Sequence, residues 1–388
     1  MIVDEISQHL PSTEAKSIRL RMPIVFGLEA VVFAMLMMRV PDMQVRIGLS
    51  DAELGFVLMG GPIGAFLVFP FAPKLIERFG TRIMIISCFL LLGPTAGFLS
   101  LAFSGLSLFA AMVAFGALNS AADITINVEA DRVEAATSGR LMNRCHGVWS
   151  VVFFVSSSIA GVVRGAGIDP VHHLWTLAPV FALVTLVLVT PMKECAPRPH
   201  TSSRRTRFVL PTLAIVVLTA FGIGGDLLEG SNRVWATIYL RDSFDVSPFI
   251  EGLALPAFVL TMAVGRLLVD GLINRFGPAR VGRAAVTIAL VGVLGVFTAP
   301  SAYVAILGFA LAGIGVAPIY PLMISAAARL GDRPAAENVA ATALVFQIIM
   351  LTAPMMIGAI AEAFSVRTAY GALLPLLVLG WIMAARLR

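Results

Sequence analysis

The chain is short of charge, of lysine and of cysteine, and each shortage excludes something. Charged residues make up only 13% of the 388 residues and hydrophobic ones 58%, with a mean hydropathy of +0.92. Soluble domains carry about a quarter charged residues, so this composition belongs to a membrane protein. There are three lysines and no G-x-x-x-x-G-K-[ST] loop, which leaves no apparatus for direct ATP coupling. Three scattered cysteines, Cys88, Cys145 and Cys195, offer neither a C-x-x-C pair nor a disulfide framework and read as small apolar residues. No metal-ligating cluster and no nucleophilic triad occurs, so neither a metal, a cofactor nor an enzymatic activity is expected. The first twenty residues hold Asp4, Glu5 and Glu14 and lack an apolar core followed by a small-residue cleavage site, so the first hydrophobic run is expected to remain as a span.

What is present is a series of continuous apolar runs, each long enough to cross about 30 Å of hydrocarbon. Twelve centre in the windows 22–41, 53–72, 83–103, 106–128, 146–165, 173–191, 209–231, 248–269, 280–299, 302–325, 338–362 and 368–385. Because they are continuous rather than alternating, and because an open sheet cannot satisfy its backbone in lipid, an all-α integral membrane fold is expected. The net charge of +5 is confined to segments between the runs, which argues against nucleic-acid binding. With the N-terminus inside, 21 basic residues fall on the inner side and 6 on the outer, with Arg266 inside the eighth run. That bias favours both termini on the cytoplasmic side.

A charged stretch is written twice. Leu75-Ile76-Glu77-Arg78-Phe79-Gly80 returns as Leu272-Ile273-Asn274-Arg275-Phe276-Gly277, at an offset that also relates Ser50 to Ser247, Gly55 to Gly252 and Leu58 to Leu255. An ungapped register of this length points to internal duplication. We therefore expect a tail over 1–21, a six-helix bundle over 22–191, a polar cytoplasmic linker over 192–208 and a second six-helix bundle over 209–388. Both copies sit after the second span of their half, where Gly80 and Gly277 suit a tight turn with positive φ. Arg78 and Arg82 can face Glu129, Asp131 and Glu134 in the next inner loop, either as a gate or as solvated surface pairs.

Charged side chains inside spans cost about 2.5–3.5 kcal/mol on insertion scales and usually face a cavity or a partner. Glu29 lies near the middle of the first span, as a proton or substrate site or an internal hydrogen-bonding group. Asn119, Asp123 and Asn127 share one face of the fourth, lining a cavity or forming a buried polar seam, and only Asp123 among them can exchange a proton. Glu229 and Arg233, four apart on the seventh span, read as an intrahelical ion pair. Asp226 lacks a nearby basic residue and is the better site candidate there. Tyr320 and Gln347 either add hydrogen bonds or pack. His146 reads as a structural interfacial residue, and Trp235 and Tyr239 as anchors at the outer interface.

The duplicated loop resembles the signature of the major facilitator superfamily, Gly-x-x-x-Asp-Arg-x-Gly-Arg-Arg. Glu77, Arg78, Gly80 and Arg82 match in the first copy, with Pro73 at the leading position. Arg275 and Gly277 match in the second, with Asn274 and Asp270 as departures. Arg39-Val40-Pro41, Gly48-Leu49-Ser50, Gly139-Arg140, His146-Gly147-x-Trp149-Ser150 and Tyr239-Leu240-Arg241-Asp242 are similar to a bacterial branch of uncharacterised permeases within it. Asn119 to Asp123 is distantly similar to fucose–proton symporters. The resemblance implies two pseudo-symmetric six-helix bundles in a functional monomer, with the first, fourth, seventh and tenth helices around a central cavity.

The expected function is secondary active transport of a small hydroxylated or cationic solute, coupled to protons through the carboxylates. No interior basic cluster is apparent to clamp a polyanion. Alternatives are proton-driven export of drugs or amphipathic metabolites and, from another class, a non-transporting solute sensor in the membrane.

Overall fold

The computed structural model describes residues 12–137, 141–195 and 210–387, leaving aside the side chains of 12–16, 143, 270 and 336. The first eleven residues of the expected tail, Gly139-Arg140 and the expected linker from Ala196 onward lie outside the described residues, as does the side chain of Asp270. Among the described residues there is no strand, and twelve helices are long and apolar enough to cross a membrane. They are α1 Ser17–Ile47, α2 Asp51–Val68, α3 Thr81–Ser100, α4 Gly105–Thr137, α5 Arg144–Gly165 and α6 Pro170–Val189, then α7 Leu213–Ser243, α8 Pro248–Val269, α9 Pro278–Thr298, α10 Ala302–Ala328, α11 Glu337–Ala363 and α12 Val366–Arg386. Leu106, Leu183, Leu267 and Leu307 are exposed on helix surfaces, as befits a chain whose solvent is hydrocarbon.

The helix ends follow from local chemistry. Ser50 accepts from the Glu53 amide while the Glu53 carboxylate accepts from the Ser50 amide, a capping box that starts α2. Thr212, Ser301 and Ser365 cap α7, α10 and α12 in the same side-chain-to-amide manner. Asp169 caps α6, whose first residue is Pro170. Three helices run further than the apolar windows. α4 continues to Thr137 and α7 to Ser243 without interruption, and α1 reaches Ile47 through a turn at Met38 and Arg39, because their charged ends find partners inside the bundle. The stretch before Gly80 is also a helix, Ala72–Phe79, rather than a loop; only Gly80 itself turns.

The extension of α7 corrects two readings. Trp235 and Tyr239 are 1% and 0% exposed, so they are packed inside and not anchored at the outer interface. Tyr239 packs edge-on against Phe309 and Tyr370, donates its hydroxyl to the Val296 carbonyl, and Tyr370 donates to Asn232 Oδ1 at 2.8 Å. The two buried tyrosines are tolerated here because each hydroxyl has an acceptor.

The bundle has two ends. The one carrying the turns after α1, α3, α5, α7, α9 and α11 is termed outer here, following the charge count of the sequence. There the halves α1–α6 and α7–α12 meet tightly. A Cβ on Gly55 would lie 2.6 Å from the Pro354 carbonyl and one on Gly358 2.4 Å from that of Asp51, so α2 and α11 touch backbone to backbone, the approach small residues permit.

Candidate functional site

Helices from both halves enclose a cavity of about 550 Å³. Four kinds of side chain give it chemistry. On α1, Glu29 is buried and its Oε2 accepts from the Trp149 indole N–H at 2.7 Å. On α4, Asn119 stands against Glu29, and the Asp123 carboxylate is near enough to act on Glu29 electrostatically. Asn127 donates to the Asp123 carboxylate at 3.0 Å and to its carbonyl at 2.8 Å. Asp123 is open to the cavity whereas Asn127 lies off its wall. The 3.6-residue repeat thus delivers the predicted stripe, with its upper two members in the site and the third orienting Asp123 from behind.

The wall from the second half is basic. Glu229 pairs with Arg266 of α8 at 3.1 Å, not with Arg233. Arg233 instead lies over the Phe33 ring of the first half, 5.4 Å from its centroid, a cation–π contact, and faces Glu29. Two corrections follow. The intrahelical pair Glu229–Arg233 is not formed, and two guanidinium groups do line the interior, where no basic cluster was expected. Gln347 lines the cavity as well. Tyr320 does not; its ring packs on Phe346, 4.7 Å between centroids. Asp226 is 1% exposed and sits behind the wall near Gly222 and Met323, with Oδ2 unpartnered. His146, read as interfacial, lines the cavity and feels the charge of Arg266. The signal for Arg233 was available: it stands one helical turn after Glu229 and so shares its face.

A second polar constellation, absent from the sequence reading, closes the outer end. Arg39 donates to Asp42 at 2.9 Å, to His173 Nδ1 at 2.9 Å and to the Ile168 carbonyl at 2.8 Å. Arg164 donates to Asp42 at 2.6 Å, pairs with Glu251 across the seam at 2.5 Å and reaches the Pro248 carbonyl at 3.2 Å. Arg241 reaches Gln44 at 3.1 Å, Gln44 donates to Asp51 at 2.8 Å, and the Asp51 amide donates to Glu362 at 3.0 Å. Among residues with described side chains, every hydrogen bond and ion pair between the halves lies at this end.

The duplicated motif occupies the inner end. Gly80 and Gly277 have φ of 80° and 82° with ψ of 161° and 156°, a region essentially reserved for glycine. In both copies the guanidinium lies over the next ring, Arg78 over Phe79 at 5.3 Å and Arg275 over Phe276 at 5.2 Å. The expected pairing of Arg78 and Arg82 with the α4 carboxylates is not what this state holds. Arg82 donates to the Thr190 carbonyl and its amide to Glu194. Glu129 accepts from Thr81 at 2.6 Å and from the Cys195 amide at 2.8 Å, and Glu134 accepts from the amides of Leu141 and Met142 at the start of α5. Glu77 is exposed, and Asp131 is half-buried at the end of α4.

The Major Facilitator Superfamily profile matches residues 24–344 and 215–388. An uncharacterized MFS-type transporter of Yersinia pestis is 27% identical over 87% of this chain and 88% of its own. The membrane protein MosC of Rhizobium meliloti is 27% identical over 92% of this chain and 86% of its own. Among solved structures, a variant of the nucleoside transporter NupG superposes with a TM-score of 0.76 at 12% identity, covering 95% of this chain and 100% of that one. A D-xylose-proton symporter superposes with a TM-score of 0.71 at 16% identity, over 95% and 97%. Together with twelve apolar helices around a polar cavity, these matches show an integral membrane transporter fold, and the chain belongs to the Major Facilitator Superfamily.

Proposed function

We propose that this protein is a secondary active transporter that carries a small polar solute, hydroxylated or bearing a cationic centre, coupled to protons. Its halves, 22–191 and 209–388, rock about the cavity to alternate access, with the inner end and both termini on the cytoplasmic side of a bacterial inner membrane. The observation that carries this reading is a cavity lined by Glu29 and Asp123 from one half and Arg233 from the other, and closed toward one end by bonds between the halves. A carboxylate that opens to such a cavity takes up a proton on one side and releases it on the other. One charge crossing 100 mV gains about 2.3 kcal/mol. The likeness to a nucleoside transporter and a D-xylose-proton symporter supports the solute class and the coupling.

In this cycle Glu29, Asn119 and Asp123 serve proton and solute, Asn127 positions Asp123, and Glu229 and Gln347 line the path. Asp226 and Tyr320 act from behind the wall. The motif residues Glu77, Arg78, Gly80, Arg82 and Asp131, with Arg275 and Gly277, mark the end that must close when the outer end opens.

Proteoliposomes with and without an imposed pH gradient test the proposal. Saturable flux that the gradient drives, and that Asp123→Asn reduces to exchange without accumulation, is the expected result. Solute binding with no flux under any gradient would mean a sensor. Rings of Phe33, Phe115, Trp149 and Phe346 on the cavity favour a second reading, proton-driven export of amphipathic metabolites, which opposite directionality of the gradient-driven flux would reveal.

A further inference from the structure

The two walls of the cavity differ in charge. The first-half wall offers the carboxylates of Glu29 and Asp123, each holding one side-chain donor of its own half, Trp149 and Asn127. The second-half wall offers donors. Arg266 is committed to Glu229, but Arg233 touches a ring and makes no ion pair with a described carboxylate.

A ligand that meets carboxylates on one wall and a guanidinium on the other gains charge-assisted hydrogen bonds from both, so this division points to a ligand that completes both walls. A simple cation would satisfy Glu29 and Asp123 while meeting Arg233 with its own sign. A simple anion would do the reverse. A neutral polyol would supply hydrogen bonds and leave the charges facing each other across it. Only a ligand with both charges matches carboxylates on one side and a guanidinium on the other. Two carboxylates on the first wall also let one hold an ammonium while the other carries the proton. The volume, about 550 Å³, lies within the range of small-molecule sites and leaves room for an apolar side chain against Phe33 and Phe115.

We propose that the cavity takes a small zwitterionic amino-carboxylate, its ammonium against Glu29 and Asp123 and its carboxylate against Arg233. This rests on the transport reading above. The test is binding of charge-matched probes to the purified protein, read by thermal shift and by quenching of tryptophan fluorescence. The probes are L-phenylalanine, phenethylamine, 3-phenylpropionate and 3-phenylpropanol, with L-leucine, isoamylamine, 4-methylvalerate and 4-methylpentanol as a smaller set.

The expected result is that at least one zwitterion binds about tenfold or more tightly than its three partners, the margin of a charge-assisted bond. Arg233→Gln should abolish that margin and move preference to the amine. Arg233→Lys keeps the charge but loses the planar fork and the stacking on Phe33, and should retain part of the margin; it also serves if the Gln variant does not fold. An amine or alcohol binding as tightly as its zwitterion overturns the inference, and so does the failure of both zwitterions to bind at millimolar concentration. Counterflow of labelled L-phenylalanine in proteoliposomes separates the two levels. Binding without flux overturns the transporter and leaves the zwitterion site standing, whereas flux of the amine alone does the opposite.

Discussion

The outer and inner ends of this protein are built from similar residues and do different work. At the outer end, Arg39, Asp42, Arg164 and Glu251 form one connected network, with Arg164 and Glu251 side chains only 8% and 9% exposed, and the Arg164–Glu251 pair crosses from one half to the other. At the inner end the charged residues of the duplicated motif bond within their own half or stack on a neighbouring ring. Arginine near a membrane surface is therefore no indicator of a gate by itself. What distinguishes a latch is burial together with a partner on the other half, and by that measure this state is latched outside.

The largest effect should come from breaking the latch. Glu251→Gln leaves Arg164 with Asp42 and the Pro248 carbonyl but removes its charged partner across the seam. Breaking a buried pair costs about 3–5 kcal/mol, so the ratio of outer-closed to outer-open protein should fall by roughly two to four orders of magnitude. Spin labels at Phe103→Cys and Pro300→Cys, on outer turns of opposite halves, should then report a longer distance. The native cysteines are buried, and burial with Glu129 alongside pushes the Cys195 thiol up to about 12, so it stays protonated during labelling. An unchanged distance would remove the contrast between the ends.

A smaller effect is expected from packing. Gly358→Ala places a methyl 2.4 Å from the Asp51 carbonyl. Because the obstacle is backbone, α2 and α11 must separate, at about 1–3 kcal/mol. The same label pair should lengthen, by less than with Glu251→Gln. Should Gly358→Ala open the seam further than Glu251→Gln, packing rather than the ion pair holds it.

At the inner end the two motif copies make an internal control. Alanine at Gly80 or Gly277 is strained by the same backbone, at about 1–3 kcal/mol each. A Cβ on Gly80 would also come within 2.5 Å of the Glu194 carboxylate, while one on Gly277 meets nothing within 4 Å. Both variants should melt below the parent, and Gly80→Ala lower than Gly277→Ala by about 1 kcal/mol or less, since a flexible side chain can yield. Equal melting points would mean that Glu194 moves aside at no cost.

Particular residues show what a linear reading can and cannot reach. Glu29 and Asp123 stand out because a carboxylate in an apolar run is expensive wherever it goes, and the twelve runs and the repeat need only composition and register. Arg164 pairs with Asp42 122 positions away and with Glu251 in the other half; no spacing rule reaches so far, so the latch was invisible. Arg233 was misassigned for the opposite reason. A near neighbour, Glu229, offered a plausible pair, and the competing partners, Arg266 for Glu229 and Phe33 for Arg233, are fixed only by packing. Trp235 and Tyr239 looked interfacial because their helix continues through charges that the fold absorbs: Arg241 reaches Gln44 and Asp242.

The smallest effect sharpens the comparison most. Arg78 rests on Phe79 and pairs with no described carboxylate, so Arg78→Ala should cost about 0.5–1 kcal/mol in this state, the worth of an exposed cation–π contact. Neither the melting point nor the outer label distance should move appreciably. Transport is a different matter, because in the proposed cycle the inner end closes and residues 77–82 approach the second half. A residue idle in one state and engaged in the other slows turnover without altering the resting population. Arg78→Ala should therefore insert normally, keep the outer-closed distance and show reduced flux in proteoliposomes. Flux at the parental rate would mean that inner closure needs no charge at this position, and that the asymmetry between the ends persists through the whole cycle.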